Sequence, residues 1–443
     1  MTPQPNILFI FSDQQHWQAT GFVDSAFETP NMDRLASEGQ IFENAFCSTP
    51  QCSPSRSSIM TGLYPTRTGV LGNVGAAGGN PLLFPTIGDS LQNAGYRTAY
   101  FGKWHLGKEP EGVKGWDTEY GVTGKEGVDD RAVTHRGIDF LCNLSESTQP
   151  FALFLSYNNP HGIYEFDQET RMTANDANSL SLPLTWEKKD LSTVPAVQQQ
   201  FMKEDQGHVI EGKERTAWER YREIYQAKVN QYDAEVGKVL SALEDQGLLE
   251  QTLIIVTSDH GDMDTQHGLI YKGPFMYEHM VRVPLIFRVP AIFEKQRYQQ
   301  AGHRFSFPCV NVDLVPTLAD FAGIEISECD GMSLKNLLLG EGDMPQRDFV
   351  IGQYYSKQKW VNPIRMIRTH RYKYNLYRVH GEELYDLEHD PDELQNLAAD
   401  KSYEEVKAGL YAQLCRWIKD HHDPFFEQMP TTREGETLRQ TGY

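Results

Sequence analysis

The chain has 443 residues, 41 Lys and Arg against 61 Asp and Glu, and a formal net charge of −20. That balance argues against nucleic acid and anionic membrane surfaces as partners, and any anion site must be a local basic patch. The length suits one large domain with a smaller one, no apolar run reaches the length of a bilayer span, and six cysteines without a CxxC pair fit neither a zinc ribbon nor a disulfide framework.

The first element is Pro5 to Asp13, whose continuous run Ile7-Leu8-Phe9-Ile10-Phe11 predicts a fully buried parallel strand. It has no basic flank and no Ala-x-Ala site, so it does not read as a signal peptide. The chain as given is therefore expected in the cytoplasm, or in the periplasm if a leader has been removed. The strand ends in Asp13-Gln14-Gln15-His16, and the carboxyl ends of such strands are where open α/β sheets build their sites. A short helix with Met32, Leu35 and Ala36 on one face follows. Next comes Cys52-Ser53-Pro54-Ser55-Arg56, where Ser and Pro favour a first helical turn. This puts Cys52 at a helix N-terminus, where N–H groups and the helix dipole favour anions and activate nucleophiles, with Arg56 one turn on.

The glycine-rich Gly72–Asn80 lacks a phosphate-loop lysine and reads as a pocket edge. A helix from Pro85 stops at Gly95, and a strand at Thr98–Phe101 delivers Gly102-Lys103-Trp104-His105. Lys103 and His105, two apart on an extended segment, would face one anion. Arg131 to Asn143 reads as a helix, and the strand Phe151–Tyr157 ends at Asn158-Asn159-Pro160-His161. Residues 165–212 read as a long polar insertion near the site mouth. A long helix, about Arg215 to Gln246, carries an aromatic stripe (Trp218, Tyr221, Tyr225, Tyr232) that reads as core. The strand Thr252–Ser258 ends in Asp259-His260-Gly261-Asp262, and Lys272, Glu278 and Arg282 follow. Glu278 and Arg282 read as an ion pair holding the segment in preference to pocket residues, and Val312 to Gly323 as a further helix. From about Asp348, short strands at 364–368, 372–377 and 383–387 suggest a small antiparallel sheet. A helix follows at about Tyr403–Asp420; Trp360, Arg365 and His370 could line a binding site, with a simply packed Trp360 as the equal alternative.

Cys-x-Pro-x-Arg with Leu63-Tyr64-Pro65-Thr66-Arg67-Thr68-Gly69 closely resembles the signature of the type I sulfatases, a branch of the alkaline-phosphatase superfamily. The Gly102–Gly107 segment matches the second signature, and the other strand ends match in the family's order. The resemblance implies an α/β fold: a large mixed, mostly parallel sheet flanked by helices, with a smaller C-terminal α+β subdomain of antiparallel sheet plus helix. The expected division is 1–347 for the catalytic domain and 348–443 for the subdomain.

It also implies that Cys52 is oxidised to formylglycine by a formylglycine-generating or anaerobic maturase; a Cys47–Cys52 disulfide would consume that nucleophile. Asp13, Gln14, Asp259 and His260 would bind one divalent cation, calcium rather than manganese, although an imidazole ligand also suits manganese or zinc. Gln14 stands where the family has a second acid, which costs the site one negative charge. Arg56, Lys103 and Lys272 would hold the developing negative charge. His105 would deprotonate the diol, and His161, alone or with Lys272, would protonate the leaving oxygen. The implied substrate is a sulfated sugar or polysaccharide. Two other readings stand beside it: a phosphonate or phosphate ester hydrolase of the same superfamily, and a non-catalytic sulfate-binding protein.

Overall fold

Ile7, Phe9 and Phe11 face one side of the first strand and Leu8 and Ile10 the other, and both sets are fully buried. A strand apolar on both faces belongs in the middle of a sheet covered on both sides. In the computed structural model, which describes residues 4–107, 114–122, 129–144, 149–166, 181–188, 190–293, 301–343 and 345–427, that is where β1 (Asn6–Asp13) lies. The main sheet adds β2 (Gln40–Phe42), β4 (Arg97–Lys103), β5 (Thr118–Val122), β6 (Phe151–Pro160), β7 (Thr252–Ser258), β8 (Leu285–Arg288) and β9 (His303–Phe305). Their order is β5-β4-β6-β1-β7-β8-β2-β9. The strands run parallel except β8, which is antiparallel to both neighbours. A two-stranded ribbon pairs β3 (Ala45–Phe46) with β10 (Cys309–Val310).

The long helix runs Arg215–Asp245 and packs against β6 and against the helix Asp130–Cys142. Beyond it, β11 (Phe349–Lys357), β12 (Trp360–Thr369), β13 (Tyr372–Tyr377) and β14 (Gly381–Asp386) form an antiparallel meander. The helix Glu404–Asp420 lies on β12 and β13 through Leu410, Leu414, Trp417 and Ile418. One apolar cluster joins the two sheets, taking in Phe9, Phe154, Met276, Tyr354, Leu384 and Leu414.

Three readings of the sequence need correction. Within 165–212, residues 167–180 and 189 lie outside the described residues, but the rest is no irregular insertion. Helices form at Leu184–Glu187 and Val197–Glu204, and Val197, Phe201, Met202 and Ile210 are buried. The glutamines 198–200 mask that apolar face. Trp360 is buried, the packed alternative of its two readings, but Arg365 does not line a sugar site: it is 1% exposed, with Nε and Nη2 on Asp423 at 2.6 and 2.8 Å. The strand β11 was absent from the reading because its polar residues are buried against neighbouring elements rather than alternating with apolar ones.

Candidate active site

The pairing register brings the carboxylates together. Ser12 of β1 pairs with Ser258 of β7, so Asp13 and Asp259 leave the sheet side by side, and the Asp259 N–H donates to the Ser12 carbonyl at 3.1 Å. On the other flank, β4 ends at Lys103 and β6 at Pro160, just before His161. The carboxyl ends of β4, β6, β1 and β7 are thus four neighbours in the sheet, and each supplies part of the site. Gly102 permits the close approach of β4 and β6: it has φ 106°, and a Cβ there would lie 1.9 Å from the Ser156 carbonyl oxygen.

Cys52 opens the helix Cys52–Thr61, which ends at the left-handed Gly62 (φ 72°). Its N-terminus is tied to the glycine-rich loop: Ser53 N–H donates to Asn73 Oδ1, and Val74 N–H to Ser53 Oγ, both at 3.1 Å. Cys52 is 1% exposed and free of any disulfide. Around its Sγ lie Lys272 Nζ at 3.1 Å, His260 Nε2 at 3.3 Å, Asp13 Oδ1 at 3.7 Å and Lys103 Nζ at 3.9 Å. His105 and His161 lie near enough to it for a Cys52 thiolate to act on both electrostatically, favouring their protonated forms. The backbone leaves the extended form after Lys103, and His105 is left-handed at φ 58°, so the expected same-side geometry of an extended pair is not what brings them together. Asp13, Lys103, His260 and Lys272 thus reach the Cys52 sulfur directly, and Gln14 does so through Lys272, 2.6 Å from its Oε1.

Arg56 does something else. Its Nε donates to Asp259 at 2.9 Å and its Nη2 to Asp13 at 3.1 Å, while Nη1 is taken by the Lys103 carbonyl and Ser156 Oγ. At 1% exposure and over the Phe11 ring, its planar fork holds two carboxylates in place. Each of its nitrogens is thus taken by a group of the protein, and its charge still acts on Cys52 from behind the carboxylates.

The electrostatics follow from burial set against charge. Burial pushes the Cys52 thiol up, but Lys103, Lys272 and His260 outweigh it and hold the thiol well below its ordinary range. Burial and Cys52 push Asp13 up; Lys103, His161 and Arg56 more than offset them and keep it ionised. Burial and the Asp13 charge raise Asp259. His161 is pushed down to about 4 by desolvation and by Lys103 and Lys272. Burial would lower Lys272, but Cys52 and Asp13 hold it up and charged.

The ligating atoms of Asp13, Cys52, Asp259 and His260 lie within 4.8 Å of one another. His260 Nδ1 is 2.9 Å from the Gly261 carbonyl, which can only accept, so Nδ1 carries a proton and Nε2 is the nitrogen turned to the cluster. Two buried carboxylates with that nitrogen fit one divalent cation. Gln14, itself left-handed at φ 77°, is oriented by its neighbours: Nε2 donates to Asp262 at 2.6 Å, leaving Oε1 toward Lys272.

The sequence reading missed the layer behind these residues. Asp262 also accepts from Tyr221 Oη at 3.0 Å, and Tyr225 Oη donates to the Gln14 carbonyl at 2.8 Å. The aromatic stripe is core, as read, but two of its hydroxyls buttress the site. The Asp-x-x-Asp spacing of Asp259 and Asp262 was the available signal. The expected pair of Arg282 and Glu278 is present at 3.7 Å, with Arg368 and Lys373 joining Glu278.

The sequence matches the family described as Sulfatase over residues 5–324 and that described as N-sulphoglucosamine sulphohydrolase, C-terminal, over residues 265–420. An N-acetylglucosamine-6-O-sulfatase of Bacteroides thetaiotaomicron is 30% identical over 500 residues, covering 95% of this chain and 88% of that protein. A solved 2-O GAG sulfatase superposes with a TM-score of 0.86 at 27% identity, over 97% of this chain and 95% of that one. Another solved structure, in complex with its substrate D-glucosamine-2-N,6-O-disulfate, gives a TM-score of 0.77 at 25% identity, over 96% and 100% of the two chains.

Proposed function

The chain belongs to the sulfatase family and is a sulfuric ester hydrolase, and from this we propose that it removes sulfate from a sulfated sugar through a formylglycine made from Cys52. The observation that carries the reading is the convergence of Lys272 and Lys103 on the Cys52 sulfur beside the Asp13–Asp259 pair. The sulfur marks where the two hydroxyls of a hydrated aldehyde would sit. A maturing enzyme, formylglycine-generating or anaerobic, is the partner this requires. Asp13, Gln14, Asp259 and His260 would hold the cation, for which we propose calcium. When bound, it supplies Lewis-acid polarisation of the nucleophile and of a sulfate oxygen.

The chain's own residues account for the remaining steps. Lys103 and Lys272 neutralise the sulfate oxygens as charge builds. One diol oxygen bonds to sulfur as the sugar oxygen departs. His161 is neutral before substrate enters; the negative charge of the sulfate offsets Lys103 and Lys272, so the imidazole can take the proton that the attacking hydroxyl sheds and hand it to the leaving oxygen. His105 takes the proton of the second hydroxyl, so that the C–O bond to the sulfated oxygen breaks, the aldehyde re-forms and sulfate leaves. Support for a glucosamine-type sugar is kinship alone: the relative named for N-acetylglucosamine and the neighbour holding a glucosamine disulfate.

The test is peptide mass spectrometry across Cys52 after co-expression with a formylglycine-generating enzyme, alongside free-sulfate release from a panel of sulfated glucosamines and uronates. Formylglycine with sulfate release is expected, with release lost on chelation and restored by calcium. The variant H161A should lower it by about a hundredfold. An unmodified thiol, or formylglycine with no release from any sugar, would sink the reading.

A further inference from the structure

Lys272 lies in a stretch, 269–277, with no helix or strand, so its backbone groups have no ladder to join. A buried carbonyl needs a partner, and that of Lys272 receives the Nζ of Lys357, the last residue of β11. Lys357 is 5% exposed, and its Nζ lies 4.5 Å from the centre of the Phe201 ring, with Asp205 as the nearby opposite charge. The same ring closes on the next backbone position: a Cβ at Gly273 would come within 3.0 Å of Phe201 and 2.5 Å of Phe275. On the opposite side, Tyr271 is left-handed at φ 57°, and its N–H donates to Tyr221 Oη at 3.0 Å. The three residues 271–273 are therefore clamped between the long helix and the C-terminal sheet.

We infer that Lys357 is a positioning residue for sulfate-ester cleavage: it fixes the Lys272 backbone so that Lys272 Nζ stays against the nucleophile and Gln14. Through this contact the C-terminal sheet takes part in the active site. Desolvation and the Lys272 charge bring Lys357 down to about 7; as ammonium or as amine it keeps an N–H for the carbonyl. The inference rests on the role given to Lys272 above.

The test uses K357M, which keeps the apolar stem and loses the donor, and K357R, which restores a donor over an aromatic ring. Inorganic sulfate is titrated into each matured chain by calorimetry, and sulfate release from a sulfated glucosamine is followed separately. K357M should bind sulfate about tenfold more weakly and release it about tenfold more slowly, with its melting temperature within a few degrees of the parent. K357R should recover both to within about twofold. Unchanged sulfate affinity in K357M, or a folded K357R no better than K357M, overturns the inference. Absence of sulfate release from the unmutated chain would instead count against the proposed function, and the binding arm would still judge Lys357.

Discussion

At the scale of single residues, the chain holds several histidines neutral by burying them. His267 stacks on Tyr277 with ring centres 4.0 Å apart, and burial, helped by the Lys373 charge, pushes it down to about 3. In the unfolded chain it would titrate near 6.5. Between those values the unfolded state binds the extra proton, so this residue makes stability rise with pH across that window and fall on acidification. Replacing it by Phe keeps the stacked ring and removes the proton site. Urea unfolding of H267F at a series of pH values should show a shallower acid loss than the parent, by up to about 1.4 kcal/mol per pH unit. Identical slopes for the two chains would refute the assignment.

At the scale of elements, what could be read from the sequence divides along physical lines. Strand ends were legible because a continuous apolar run stopping at Asp13, at Asn158 or at Asp259 states both the strand and its exit. The position of Cys52 was legible because Ser and Pro set a helix start. The purpose of Arg56 was not, since only the fold shows Asp13 and Asp259 closing on its two edges. The hydroxyls of Tyr221 and Tyr225 were hidden because a period near 3.6 reports a buried face and is silent on what its polar tips touch. Arg365 misled for a related reason: a cation on a strand looks solvent-facing until its partner, 58 residues on, is seen. Breaking that pair by R365M leaves Asp423 buried and uncompensated, so the meander should lose about 3–5 kcal/mol. The urea midpoint should drop while sulfate release per folded molecule stays level; a change in sugar preference without destabilisation would return Arg365 to the binding site.

At the scale of the whole molecule, the two sheets share one apolar cluster rather than meeting as separate bodies. The site is assembled from residues far apart along the chain. Cys52 comes early, and Lys272, which lies against it, is 220 residues later. With Cys52 at 1% exposure, the finished fold offers its thiol to no enzyme-sized visitor. The order of biosynthesis is therefore constrained: a ribosome adding roughly 5–20 residues per second leaves Cys52 uncovered for about ten to forty seconds before Lys272 exists. Under the maturation proposed above, that reaction and folding are competitors on one clock, and slower translation between the two residues should favour the aldehyde. Chain that has folded before it meets the maturing enzyme should keep its thiol, which the mass of the Cys52 peptide would reveal; conversion of that folded chain would show that the fold opens far more widely than its packing implies.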